Sequence, residues 1–242
     1  PEHLPGSGVY VFRNVIDTRA GVPYQLPQEA DPSGEFLHAE GHLLSDHGSP
    51  VYPVMKFYQN TFLRQSPVFR GHFLFGLGAV GLRHNERDVF NNIFVQKRGI
   101  PGAGFVAIKE AGHLREGANV LWGVDDGPSA KDVFAKFRTS PLFEQSKHSY
   151  EQGWTTHDRF VDPKLMHLPN DANAASDLRL QPDSPAIDAG LVVPSEWPDP
   201  LRDADKGQPD IGAIPRGVEP WTVGVDGRIS IFSGRPMHRS GN

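Results

Sequence analysis

Disulfides have no part in this fold, because the 242-residue sequence contains no cysteine. Burial and hydrogen bonding must hold it together, and the compartment stays open, since bacterial secreted proteins often lack disulfides. Long helical patterns are nearly absent, and only Ala130–Phe137 (AKDVFAKF) offers a turn or two of amphipathic helix. No run approaches the roughly 18 apolar residues that a membrane span requires. There is no basic stripe to set against a formal charge of -5, which argues against nucleic acid as a partner. Hydrophobic content of 38% is low for a compact globule, and 26 Gly with 22 Pro announce many turns and loops. No stretch reads as a signal peptide. Pro1 instead opens a polar stretch that enters a strand by Gly8, as expected for the later part of a longer polypeptide.

What the sequence does have is a repeat. Val11-Phe12-Arg13-Asn14-Val15-Ile16 returns as Phe57-Tyr58-Gln59-Asn60-Thr61-Phe62 and as Val89-Phe90-Asn91-Asn92-Ile93-Phe94, with a fainter copy at Ala118-Asn119-Val120-Leu121. Each copy is a short β-type run that closes on Asn and resumes with a β-branched residue. The asparagines lie 46, 32 and 27 residues apart, so insertions fall between the copies and not inside them. That spacing predicts an all-β solenoid with strand rungs and variable loops. Alternation along a strand then sorts the side chains. Val11, Phe57 and Val89 face the interior, while Phe12/Tyr58/Phe90 and Tyr10/Lys56/Asp88 form outward columns. The asparagines suit a tight bend, because Asn tolerates the left-handed region and can bond its counterpart in the next rung. Residues 1–127 read as rungs with inserted loops, and residues 128–242 as a C-terminal capping segment and tail, together one continuous structural domain. The Thr18–Pro50 excursion is expected to fold over the outward aromatic column, since stacked exposed aromatics form a patch that monomers avoid.

These runs resemble the rungs of right-handed parallel β-helix, pectate-lyase-like secreted bacterial proteins. The closing stretch is more specific: Asp162-Pro163, Asp177-Leu178-Arg179-Leu180, Asp183-Ser184-Pro185-Ala186-Ile187-Asp188-Ala189-Gly190 and Pro209-Asp210-Ile211-Gly212-Ala213. It is similar to the ending found on many such proteins, and the resemblance covers about residues 8 to 217. It implies a right-handed parallel β-helix with an irregular C-terminal cap, and a secreted or periplasmic protein that handles polysaccharide. No calcium-acid cluster with a neighbouring Arg or Lys pattern is recognisable within one rung, so the resemblance leaves room for catalytic rungs in a preceding part of the polypeptide.

Several residue groups suit polysaccharide chemistry. Eliminative cleavage of a uronate polymer needs a base for the proton beside the carboxylate, and an Arg or cation to neutralise that carboxylate. Asp46 and His47, in a loop tightened by Gly48 and Pro50, with Arg19 and Lys56, include those types and stand as the catalytic candidates. Tyr58 suits stacking on a sugar, and Arg83 and Arg87 suit bidentate capture of a carboxylate. Asp203-Ala204-Asp205-Lys206-Gly207 resembles the start of a calcium loop, which makes Asp203 and Asp205 candidate Ca2+ ligands beside the simpler reading of a turn. The expectation is therefore a carbohydrate-active protein that cleaves or binds an acidic polysaccharide by lyase-like or hydrolase-like chemistry. A non-catalytic carbohydrate-binding or adhesive module, or a structural β-helix segment, is the alternative. The expected partners are polysaccharide and the preceding part of the same protein.

Overall fold

The computed structural model describes residues 8–17, 54–64, 86–96, 113–123, 135–169 and 174–220. Each copy of the repeat is a strand, a two-residue bend and a second strand. The first strands are β1 (Gly8–Phe12), β3 (Val54–Tyr58), β5 (Arg87–Phe90) and β7 (Leu114–Gly117). The second strands are β2 (Val15–Asp17), β4 (Thr61–Arg64), β6 (Ile93–Gln96) and β8 (Val120–Gly123). Like pairs with like, in parallel: one sheet runs β1-β3-β5-β7 and the other β2-β4-β6-β8-β9, where β9 is Arg159–Phe160. Only a helical turn over 135–138, the short helix α1 (Pro141–Ser146) and the antiparallel pair β10 (Leu165–His167) and β11 (Asp177–Leu180) break this pattern among the described residues. The described residues are thus all-β in character, with most of their strands in parallel sheets. Of the helix expected at Ala130–Phe137, the described part is the turn over 135–138, and residues 130–134 lie outside the described residues.

Register follows the repeat. Tyr10, Lys56, Asp88 and Arg115 align across the first sheet, as do Phe12, Tyr58, Phe90 and Gly117. Phe57 and Val89 are buried, and Phe57 meets Phe62 and Phe94 of the second sheet at 6.0 and 6.5 Å between ring centroids. The bends differ from expectation in one respect. The left-handed residue is the one before each Asn: Arg13 (φ 54), Gln59 (φ 53), Asn91 (φ 58) and Ala118 (φ 53). A left-handed non-glycine costs on the order of 1–2 kcal/mol, and the asparagines offset it with a ladder. The backbone N–H of Asn14 donates to Asn60 Oδ1 (3.0 Å), that of Asn60 to Asn92 Oδ1 (2.9 Å), and that of Asn92 to Asn119 Oδ1 (2.9 Å). Asn119 in turn donates to Asp158 Oδ1 at 2.7 Å, just before β9 pairs with β8. Asp158-Arg159-Phe160 is therefore a fifth, partial copy with Asp in the Asn position.

The closing motif packs along the side of these units. Leu165, Leu178, Leu180, Ala186 and Ile211 cover Leu63, Ile93, Val95 and Val120 of the second sheet. Leu191, Val193 and Trp197 cover the Phe12/Tyr58/Phe90 column of the first. The aromatic column is covered, as its patch chemistry demands, but the described cover comes from the C-terminal segment. The Thr18–Pro50 excursion lies outside the described residues. Two glycines explain the fit. A Cβ on Gly190 would stand 2.8 Å from Pro209 O and 3.0 Å from Asn91 Oδ1. Gly212 has φ +110, its N–H donates to Asn91 O at 2.9 Å, and a Cβ there would meet Ile93 Cδ1 at 2.6 Å. Gly212→Ala is expected to cost about 2 kcal/mol or more, from strain at positive φ added to the clash. A denaturant midpoint equal to wild type would contradict that account of the motif.

Candidate functional site

The outward column holding Lys56 builds a compact charge network on the first sheet. Strand alternation brings Lys56, Asp88 and Arg115 onto one face, and Glu86 joins them from just before β5. Lys56 Nζ donates to Glu86 Oε1 at 2.6 Å and to Asp88 Oδ2. Arg115 donates through Nε to Asp88 Oδ1 at 2.6 Å, and through Nη2 to Asp88 Oδ2 at 2.8 Å and Glu86 Oε1 at 2.6 Å. Burial acts to raise the Glu86 carboxyl, but the hydrogen bond and charge of Lys56, with Arg115, hold it below the usual carboxylate range. The Lys56 ammonium also lies 5.1 Å from the centre of the Trp197 ring. Two cations meet two anions, and Lys56, donating to both carboxylates, has no lone pair to offer a substrate.

Of the other residues singled out in the sequence, Tyr58 is fully buried. Its ring stacks on Phe12 at 5.4 Å, packs against Trp197 at 5.0 Å, and its hydroxyl donates to Pro198 O. Burial first, then the charge of Asp199, pushes that phenol well above its ordinary range. Arg87 is buried in the column of Met55 and Leu114, and Nη1 donates to Glu86 O at 3.2 Å. Asp205 accepts from Arg13 Nη2 at 3.1 Å and from the Asp210 N–H through both oxygens. Burial and the Asp210 charge outweigh Arg13 there and raise the Asp205 carboxyl. Asp203 is exposed, with its carbonyl accepting from Lys206 Nζ. Among the described residues no three His, Asp or Glu side chains gather as a metal site. Asp46, His47, Arg19 and Arg83 lie outside the described residues.

A second place has an open cavity. Between the outer face of the second sheet and the β10–β11 pair lies a pocket of about 450 Å³, lined by Val95, Trp122, Asp162, Lys164, Gln181 and Asp183 among others. Trp122 is half-buried at the end of β8 and braced by Phe160, 5.9 Å away at 39°. Asp162 Oδ1 accepts the Lys164 N–H at 2.8 Å, which fixes a turn with Lys164 at φ 50. Lys164 Nζ donates to Asp183, and Gln181 Nε2 donates to Leu165 O at 2.8 Å. The hydrogen bond from Lys164 holds the Asp183 carboxyl below its ordinary value. The pocket therefore joins an aromatic wall to carboxylate and amide oxygens set on short, tied turns.

Arg115 was within reach of sequence reasoning, because counting four back from Asn119 extends the Tyr10/Lys56/Asp88 column to it. Asp162 and Asp183 stand in the closing motif, where their signal merges with that of the cap. Trp122 carries no signal of its own, since a Trp in a strand reads equally as core. Comparison with known protein families, with curated proteins and with solved structures finds no match to this chain.

Proposed function

We propose that the chain is a segment of a secreted or periplasmic right-handed parallel β-helix that binds carbohydrate, with a neutral sugar seated on Trp122 in the pocket beside β10–β11. The helical reading is supported by the common register of the units, the ladder at their bends, and the resemblance of the closing motif. The pocket carries the functional reading: a tryptophan wall suits the apolar face of a sugar ring, and the oxygens of Asp162, Asp183 and Gln181 suit its hydroxyls. Two carboxylates against one ammonium disfavour a uronate there, which narrows the acidic polymer of the sequence reading to an uncharged one.

Binding without cleavage fits the chemistry better than hydrolysis or elimination at these residues. A glycosidase needs one carboxyl raised to serve as acid, whereas Asp183 is held low by Lys164. Elimination needs a base, and Lys56 donates to Glu86 and Asp88. Native electrophoresis through gels containing neutral polysaccharide or a uronate polymer tests the reading. Wild type should be retarded by a neutral polymer and pass freely through the uronate gel. Trp122→Ala should weaken retardation at least about tenfold, the usual consequence of losing an aromatic anchor. Retardation by the uronate gel alone, or a variant indistinguishable from wild type, sinks the proposal.

A further inference from the structure

Glu116 occupies the only charged position in the interior column of Val11, Phe57 and Val89, and it is fully buried. Its Oε1 accepts from Asn119 Nδ2 at 3.0 Å and its Oε2 from the Thr155 N–H at 2.8 Å. The same Asn119 Nδ2 lies 3.2 Å from Asp158 Oδ1, so two carboxyls flank one amide group. Asp158 Oδ1 also takes the backbone N–H of Asn119, yet Asp158 Oδ2 is enclosed and has no donor among the described residues. Such an oxygen in a closed site calls for a proton, and two adjacent buried carboxylates do not both ionise readily. Around the pair, among the described residues, stand the Tyr150 hydroxyl and the Arg138 guanidinium. Arg138 is engaged with Thr155, donating from Nε to Oγ1 at 2.9 Å and from Nη2 to the carbonyl. Asn119 and Thr155 supply neutral donors only.

We propose that Glu116 and Asp158 share one proton, that this proton latches residues 149–158 onto the fourth unit, and that its loss at alkaline pH frees them. The latched stretch closes the β7 side of the first sheet. Trp154 is fully buried there with Nε1 donating to Leu114 O at 2.8 Å, and Ser149 Oγ donates to the same carbonyl at 2.7 Å. Burial, followed by the charge of Asp158, holds the Glu116 carboxyl well above its ordinary value, and burial raises Asp158 despite the hydrogen bond from Glu116. Burial and the two carboxyls together push Tyr150 up to about 12. The sign is fixed by these directions. A carboxyl raised in the folded state contributes stability that is fully present below its unfolded value and is lost as pH climbs through the folded one.

Hydrogen exchange of the amides in 149–158, corrected for intrinsic exchange, tests this between pH 5 and 9. Wild type should open about tenfold more per pH unit for as long as the closed pair keeps a proton that the open segment gives up, the slope of a single linked proton, and level off once the closed pair loses it. Amides of β3 and β5 should stay flat over the same range. Glu116→Gln and Asp158→Asn each remove one carboxyl and its charge from the pair, so either should open less steeply with pH than wild type. Equal slopes in wild type and a folded variant overturn the latch. If neither variant folds, the wild-type profile decides: uniform protection across the range overturns the proposal, and a slope confined to 149–158 supports it.

Discussion

Asn92→Ala is expected to lower the unfolding free energy by about 4 kcal/mol, one of the two largest losses any single substitution should produce here. Asn92 is fully buried in the middle of the ladder. Its Oδ1 accepts from both the N–H and the Nδ2 of Asn60, each at 2.9 Å. Its Nδ2 donates to Phe57 O at 3.1 Å and to Asn119 Oδ1 at 3.0 Å. Alanine removes four hydrogen bonds and strands the buried backbone N–H of Asn60, whose Nδ2 keeps Val11 O at 2.9 Å and Tyr58 O at 3.0 Å. The stranded donor alone costs roughly 1–3 kcal/mol, and the lost bonds add to it. For a chain of this size the shift is about 10 °C in Tm. Asn14→Ala is the matched control, because Asn14 is exposed at the end of the ladder, and it should cost far less. Similar losses at the two positions would mean that the ladder does not propagate.

The second large effect is Arg13→Leu. Arg13 reaches from the first bend to the closing motif, donating to Asp199 through Nε at 3.1 Å and Nη2 at 2.9 Å, to Asp205 at 3.1 Å, and through Nη1 to Gly212 O at 3.1 Å. The side chains of Arg13, Asp199 and Asp205 are 1%, 2% and 5% exposed, so removing the cation leaves two buried carboxylates uncompensated. Breaking one side of such a pair costs about 3–5 kcal/mol. Gln59 adds to the same junction, with its amide oriented to donate to Asp199 Oδ2 at 2.8 Å and accept from Arg13 Nη2 at 2.9 Å. The deficit should depend on pH. Without Arg13, only the hydrogen bond from the Asp210 N–H is left to oppose burial and the Asp210 charge, and Asp205 is raised further. A raised carboxyl is stabilising when protonated and loses that contribution as pH rises, so the variant should be less impaired at pH 5 than at pH 8. Urea denaturation at both values checks this, and a deficit that grows toward acid would contradict the assignment of Arg13 as counter-ion.

The columns were legible in the sequence because a strand has period two and every copy carries the same Asn. From that alone Tyr10, Lys56 and Asp88 align, as do Phe12, Tyr58 and Phe90, and the structure pairs them so. The left-handed position was not legible. Arg13, Gln59, Asn91 and Ala118 share no chemistry, and only the backbone demand at the bend unites them. The cover over Tyr58 was equally hidden, since Trp197 lies far along the chain and no local pattern links the two. Glu116 and Asp158 break the repeat they belong to, a charge in an apolar column and an acid in an amide ladder. Such breaks are what a pattern search discards. The pocket was obscured for another reason: Asp162 and Asp183 stand in a motif whose other residues dock the segment, as Gly190 and Gly212 do against Asn91.

Binding at Trp122 without cleavage is the central claim, and one calorimetric titration tests it most directly. A neutral oligosaccharide is titrated into wild type and into Trp122→Ala, and the recovered sugar is weighed by mass spectrometry. The expected result is saturable heat with wild type, an affinity lower by about tenfold or more in the variant, and sugar returned at its original mass. Equal heats in the two proteins would remove the pocket from the account, and shortened sugar would show that the chain cuts what it binds.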